Sequence, residues 1–106
     1  MNITIIDDEI IIRRIFKVIC DSKGYQVNAF ESPYGAIDYL QNHKTDIIFM
    51  DWNMPGVNIL KSIDILLELT DVPIYIVSGD TNINSPLPVI PKPFNISSIL
   101  DKIKGA

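Results

Sequence analysis

Five positions carry side chains suited to chemistry: the pair Asp7-Asp8, then Asp51, Ser78 and Lys92. Each follows or closes a short apolar run. NITII (2–6) precedes the acidic pair, Asp46 to Met50 precedes Asp51, PIYIVS (73–78) ends in Ser78, and Val89-Ile90 comes just before Lys92. Singly, each has an ordinary explanation. Acids before a helix favour its dipole, Ser78-Gly79 reads as a turn, Lys92-Pro93 as a solvated loop, and Asp51 as a cap at the tip of a strand running out into solvent. Jointly these explanations are poor, because all the groups fall at the same end of alternate elements. Three carboxylates brought together there repel. A like-charged pair about 4 Å apart costs on the order of 4 kcal/mol at an effective dielectric of 20, so either a pKa rises or a cation enters. An all-oxygen site with room for water suits Mg²⁺; Zn²⁺ prefers nitrogen and sulfur ligands. Lys92 and the Ser78 hydroxyl add a charge and a donor able to hold a dianion at Asp51. A carboxylate facing such an anion hole is a nucleophile for phosphoryl transfer.

Those residues must be positioned by the elements between them. NITII is too short for a helix. From Glu9 to Lys23 the pattern is helical: Ile11, Ile12, Ile15, Phe16, Val18 and Ile19 form a broad apolar face, Arg13, Arg14, Lys17 and Asp21 lie opposite, and Gly24 stops it. YQVNAF (25–30) is a second strand, ending in Phe30 and Glu31 with no comparable group. Ser32 and Pro33 open a helix that turns Ala36, Ile37 and Leu40 inward. Strand three is Asp46 to Met50, and helix three runs from Asn58 to Leu69 with Ile59, Leu60, Ile63, Leu66 and Leu67 at helical spacing. Strand four is 73–78, Val89 and Ile90 supply strand five, and Asn95 caps a last helix bearing Ile96, Ile99, Leu100 and Ile103. A parallel pair needs a crossover long enough to hold a helix, so this alternation predicts a doubly wound α/β fold with a five-stranded parallel sheet. Helices then cover both faces, and ligands bind outside the carboxyl ends of the strands.

Composition removes other classes. The chain has 106 residues, enough for one domain, and is 47% hydrophobic with a net charge of −4. That composition excludes a disordered linker, and the charge argues against nucleic-acid binding. No apolar run approaches the roughly 20 residues of a membrane span. The single cysteine, Cys20, forms no internal disulfide, so a cytoplasmic location is expected. His43 reads as solvent-facing and Cys20 as a small, partly buried hydrophobe.

The segments IIDDE, FMDWNMPG, IVSG and PKPF resemble, in order, the four signature segments of the response-regulator receiver domain of two-component signalling. RRI and DWNMP are most similar to single-domain chemotaxis-type receivers. The resemblance implies the flavodoxin-like strand order 2-1-3-4-5 and one receiver domain over 1–106, with no output domain. It implies that Asp51 accepts a phosphoryl group from a phosphohistidine on a sensor histidine kinase or phosphotransfer protein, giving an aspartyl phosphate. Asp8, Asp51 and the backbone carbonyl of Asn53 would ligate Mg²⁺, with Asp7 acting through a water. Ser78 and Lys92 would bind phosphoryl oxygens, and Gly79 would leave the pocket open. A cis Lys92-Pro93 peptide is expected too. Such a protein is a phosphoacceptor that assists its own phosphorylation and dephosphorylation, not a conventional enzyme.

One departure stands out. Receivers place a helix between the strand-four hydroxyl and the strand-five lysine. Here that interval is GDTNINSPLPVIP, thirteen positions with Pro86, Pro88 and Pro91 and no helical period, which predicts a loop. The family's aromatic switch position falls on Val89. Loss of that helix is expected to leave Ile83, Leu87, Val89 and Ile90 as an open apolar patch. The protein would then bind an output partner, or itself, through the 79–91 loop, strand five and the last helix. Two alternatives belong to other classes: a phosphorylation-independent pseudo-receiver, and a phosphohydrolase of the haloacid dehalogenase type, which shares the residue types but not their order.

Overall fold

The computed structural model describes residues 1–80 and 82–106; Thr81, within the expected 79–91 loop, lies outside the described residues. Strands β1 (Asn2–Ile6), β2 (Gln26–Phe30), β3 (Ile47–Asp51), β4 (Ile74–Ser78) and β5 (Val89–Pro91) alternate with helices α1 (Ile10–Asp21), α2 (Pro33–Leu40) and α3 (Ile59–Leu69), and α4 (Ile96–Lys104) closes the chain. All strand pairs are parallel, in the order β2-β1-β3-β4-β5. Between β4 and β5 the described residues form no helix.

Alternation along each strand sorts side chains into two apolar layers. Ile3, Ile5, Ile47, Phe49, Val77 and Ile90 meet Phe16 and Cys20 of α1 and Ile99 and Ile103 of α4. On the opposite face Ile6, Ile48, Met50, Ile74 and Ile76 meet Ala36 and Leu40 of α2 and Ile63 and Leu66 of α3. Burial on both sides explains why β3 reads as an unbroken apolar run. Gly24 follows α1 at φ +76°, a conformation costly for other residues. Asn58 and Asn95 cap α3 and α4, accepting from the amides of Lys61 (3.1 Å) and Ser98 (2.7 Å). Ser32 occupies the N-cap of α2 without a side-chain bond, and Pro33 is the first helical residue.

Register positions the site. Ile6 lies between Phe30 and Met50, Asp51 pairs with Val77, and Ser78 pairs with Pro91. The ladder continues past the strand ends: Asp7 N bonds Phe30 O (3.0 Å), Trp52 N bonds Val77 O (3.1 Å) and Lys92 N bonds Ser78 O (2.8 Å). Sheet geometry therefore holds the main chain of every site residue at one edge.

Several expectations are corrected. Asp51 does not run out into solvent: it belongs to β3 and is only 3% exposed. Asp46 instead precedes the strand, its carboxylate accepting from the Asn2 amide at 2.7 Å. On α1 only Phe16, Ile19 and Cys20 are buried, while Ile11, Ile15 and Val18 are exposed, Val18 by 71%. A helix on one sheet layer covers one stripe; the adjacent stripe at 11, 15 and 18 is left exposed among the described residues. Leu60 and Leu67 of α3 and Ile96 of α4 are exposed for the same reason. Cys20 is fully buried, and burial pushes its thiol up to about 11.

The expected open patch between β4 and β5 is also corrected. Ile83, Leu87 and Val89 are half-buried against the layer on the α3 side, and Ile90 is buried. The loop folds its apolar side chains onto the sheet face that a helix would otherwise cover.

Candidate functional site

At the carboxyl edge of β1 and β3, one carboxylate oxygen from each of Asp7, Asp8 and Asp51 lies within 4.8 Å of the others. Asp7 and Asp51 are buried and Asp8 is exposed. Lys92 reaches across from the end of β5, donating to Asp51 Oδ1 at 3.1 Å and to Asp7 Oδ2 at 3.3 Å. The Lys92-Pro93 peptide is cis, as expected. Asp7 Oδ1 accepts from the Glu9 amide at 2.9 Å, so both its oxygens are engaged. Asp51 Oδ1 also accepts a long bond from the Asn53 amide at 3.4 Å.

Asp51 Oδ2 accepts no hydrogen bond among the described residues. Its lone pairs are therefore claimed by none of the described residues. One oxygen of Asp51 is thus clamped and the other open. This division suits a nucleophile, since the clamped oxygen orients the group while the open one keeps its lone pairs available.

Three carboxylates face one ammonium. Burial raises Asp51, against the lowering effect of its bond and charge contact with Lys92. Burial also raises Asp7, opposed by the Glu9 amide and reinforced by the Asp51 charge. For Lys92, burial pulls downward, but the hydrogen bond and charge of Asp51, then of Asp7, hold the ammonium above the usual lysine range. Excess negative charge on all-oxygen donors fits a hard divalent cation.

The remaining sequence candidates are placed as follows. Asn53 is exposed and borders the cluster through its amide. Ser78 is fully buried, and its hydroxyl is engaged by Asp80: it donates to Asp80 O at 3.0 Å and accepts from Asp80 N at 3.1 Å. A Cβ on Gly79 would meet no heavy atom within 4 Å, so the chain itself does not demand glycine there. Trp52 is half-buried beside Asn53 and Met54, lining a shallow pocket of about 290 Å³. His43 is exposed and stacks on Tyr39 with ring centroids 4.1 Å apart, as a solvent-facing residue would.

Two contributors escaped the sequence reading. Arg13 Nη1 donates to the main-chain oxygen of Asp7 at 2.6 Å, bracing the acidic pair from α1. Its only signal was a position six residues after Asp7, and periodicity assigned it to the solvent face. Asp80 engages Ser78, and nothing in its local pattern marks it. Beside Lys92, a groove of about 410 Å³ is lined by Ile12, Ile15, Pro93, Phe94 and Ile96.

A family model described as the response regulator receiver domain matches residues 3–104. The chain is similar to the protein-glutamate methylesterase/protein-glutamine glutaminase of Nitrosospira multiformis, with 32% identity over 84 residues; the match covers 77% of this chain and 24% of that protein. The chain thus spans about a quarter of that relative's length. It is also similar to chemotaxis protein CheY-3 of Vibrio cholerae, at 28% identity over 116 aligned positions, covering 97% of this chain and 88% of that one. Among solved structures, chemotaxis response regulator CheY4 of Vibrio cholerae superposes with a TM-score of 0.83 at 22% identity, covering 98% and 96% of the two chains, a likeness of fold.

Proposed function

Because this chain belongs to the response regulator receiver domain family, we propose that Asp51 accepts a phosphoryl group from a phosphohistidine of a sensor histidine kinase or phosphotransfer protein. The observation that carries the reading is the open Oδ2 of Asp51 beside a clamped Oδ1. Oδ2 attacks phosphorus, the phosphorus–nitrogen bond breaks, and the imidazole leaves with that electron pair and takes up a proton. The product is an aspartyl phosphate. Two of the three Lys92 protons serve Asp51 and Asp7, leaving one for a phosphoryl oxygen. Ser78 would supply a second donor after rotating, over the open space at Gly79.

Mg²⁺ is the proposed cofactor. Asp8, Asp51 and the Asn53 carbonyl would hold it, with Asp7 acting through a water, and when bound it offsets the charge of carboxylates and phosphoryl group. Membership in the receiver family answers the phosphohydrolase alternative. The proposed output is protein–protein contact, with an unidentified protein or a second copy, through the loop, β5 and α4. No helix among the described residues is long and apolar enough to cross a membrane; the cytoplasm is the proposed location.

Acetyl phosphate with Mg²⁺ should add one phosphoryl mass to the wild type and none to Asp51→Asn. An unmodified wild type would favour the phosphorylation-independent module, to which the engagement of the Ser78 hydroxyl by Asp80 also points.

The phosphodonor protein is assigned to the groove beside Lys92 and the exposed stripe of Ile11, Ile15 and Val18 with Ile96. This apolar surface runs up to the reactive edge, where a donor histidine must arrive, and Arg14 at its margin favours an acidic partner. Val18→Asp and Ile96→Asp should each slow transfer from a phosphorylated histidine phosphotransfer protein roughly tenfold or more. Labelling by acetyl phosphate should be unchanged, and equal loss with both donors would count against the assignment.

A further inference from the structure

The turn between β1 and α1 aims the acidic pair, and few groups hold it. Glu9 occupies the N-cap of α1 without a side-chain bond, and the first turn of the helix carries no acid. Two bonds stand in for a cap, and both end on Asp7. The Glu9 amide donates to Asp7 Oδ1 at 2.9 Å, and Arg13 Nη1 donates to Asp7 O at 2.6 Å. Asp7 is anchored in turn by its amide, which donates to Phe30 O at 3.0 Å. No main-chain amide among the described residues donates to its carbonyl, so the Arg13 guanidinium takes the place of a ladder donor. That carbonyl belongs to the peptide joining Asp7 to Asp8, and a peptide is one rigid plane. Holding its oxygen therefore holds the Asp8 end as well. Asp8 has little else: it is exposed, and no cation among the described residues pairs with its carboxylate. One of its oxygens nonetheless lies within 4.8 Å of those of Asp7 and Asp51.

We propose that Arg13 is a positioning residue for the divalent cation: by holding the Asp7–Asp8 peptide it keeps the Asp8 carboxylate beside Asp51 and so tightens Mg²⁺ binding. The inference rests on the cofactor reading above and adds a residue outside the set of ligands. Arg13 carries the same sign of charge as the metal. By charge alone it opposes binding, and its loss would tighten the site. Orientation acts the other way. Without the guanidinium the peptide plane is free to turn, and Asp8 moves away from two carboxylates that repel it. A carboxylate that must be gathered against like charge each time a metal arrives binds it more weakly than one already in place. The burial of the two arginines on α1 agrees with this division of labour. Arg13 is half-buried against the turn, while Arg14 is exposed.

Mg²⁺ titrations of the protein, followed by Trp52 fluorescence and by calorimetry, test the assignment without any phosphodonor. Arg13→Met should bind Mg²⁺ roughly tenfold more weakly than the wild type. Arg13→Lys, which keeps a donor on a long side chain, should recover most of the loss. In an Asp8→Asn background, where binding is already weaker, Arg13→Met should add little, because both changes act through one carboxylate. A role in fold stability alone would lower the Tm of Arg13→Met and leave the affinity of the folded protein unchanged. That result, tighter binding as charge alone demands, or full additivity with Asp8→Asn overturns the proposal and leaves the cofactor reading standing. If Arg13→Met does not fold, Arg13→Gln, neutral and shorter, takes its place. No saturable binding by the wild type overturns both.

Discussion

Lys92→Met should lower the unfolding free energy of the metal-free protein by about 2–3 kcal/mol, a fall in Tm on the order of 10–20 °C. The wild-type ammonium bonds two carboxylates that are 1% and 3% exposed. Removing it leaves both in a place that water scarcely reaches, next to a third. Breaking a fully buried pair costs more, roughly 3–5 kcal/mol. The smaller figure applies because the Lys92 side chain is itself 20% exposed and Asp8 stands in solvent. Saturating Mg²⁺ should restore most of the loss by supplying positive charge at the same oxygens. Chemical denaturation with and without the cation measures both effects. A variant as stable as the wild type in metal-free buffer would show that Lys92 compensates nothing.

Asp7→Asn should act in the opposite direction. The amide oxygen can still accept from Glu9 N, so the turn into α1 is kept, but a buried charge disappears. Without metal the variant should be more stable by about 1 kcal/mol, a size common when a site kept for function is relieved. The stabilisation expected from Mg²⁺ in the wild type should be sharply smaller in the variant. The pH dependence differs as well. Burial holds the folded Asp7 carboxyl above its ordinary value. A raised carboxyl contributes stability that is fully present below its unfolded pKa of about 4 and is lost as pH rises through the folded pKa. Metal-free wild type should therefore weaken over that window, and Asp7→Asn should weaken less. Lys92 titrates in the same sense but in a higher window: held above the lysine range, its contribution persists at neutral pH and is lost only in strong alkali. Melting curves across pH in chelator read these slopes, and parallel curves for the two proteins would refute the account.

The site was legible because a parallel sheet delivers all its strand ends to one edge. Once NITII, IIFM, PIYIVS and the Val89-Ile90 pair read as strands, their following residues had to meet there. Local chemistry also located the cap at Asn95 and ruled out a helix in a segment with three prolines. Boundaries moved by a residue, as for β3, where Asp51 joined the strand because its neighbour Val77 continues the ladder.

Side-chain choices among near neighbours were not legible. Periodicity on α1 marked an apolar arc wider than one sheet layer can cover, and only packing beside α4 decided that Phe16 faces inward and Val18 outward. The loop was readable as a loop, but its cover of the α3-side layer by Ile83, Leu87 and Val89 depends on an uncovered sheet face that no local pattern records. Lys92 could be placed near Asp51; that it also bonds Asp7 follows from a reach across β4 and β3 to the end of β1. The acceptor of the Ser78 hydroxyl was not readable either, because its bond to Asp80 depends on where the following loop runs. Sequence by itself determined which elements form and which groups stand at their ends, because both depend on local periodicity and turn chemistry. Which stripe is buried, which oxygen is open and which acceptor takes a proton were decided by tertiary structure, because each is a competition among groups far apart in the chain.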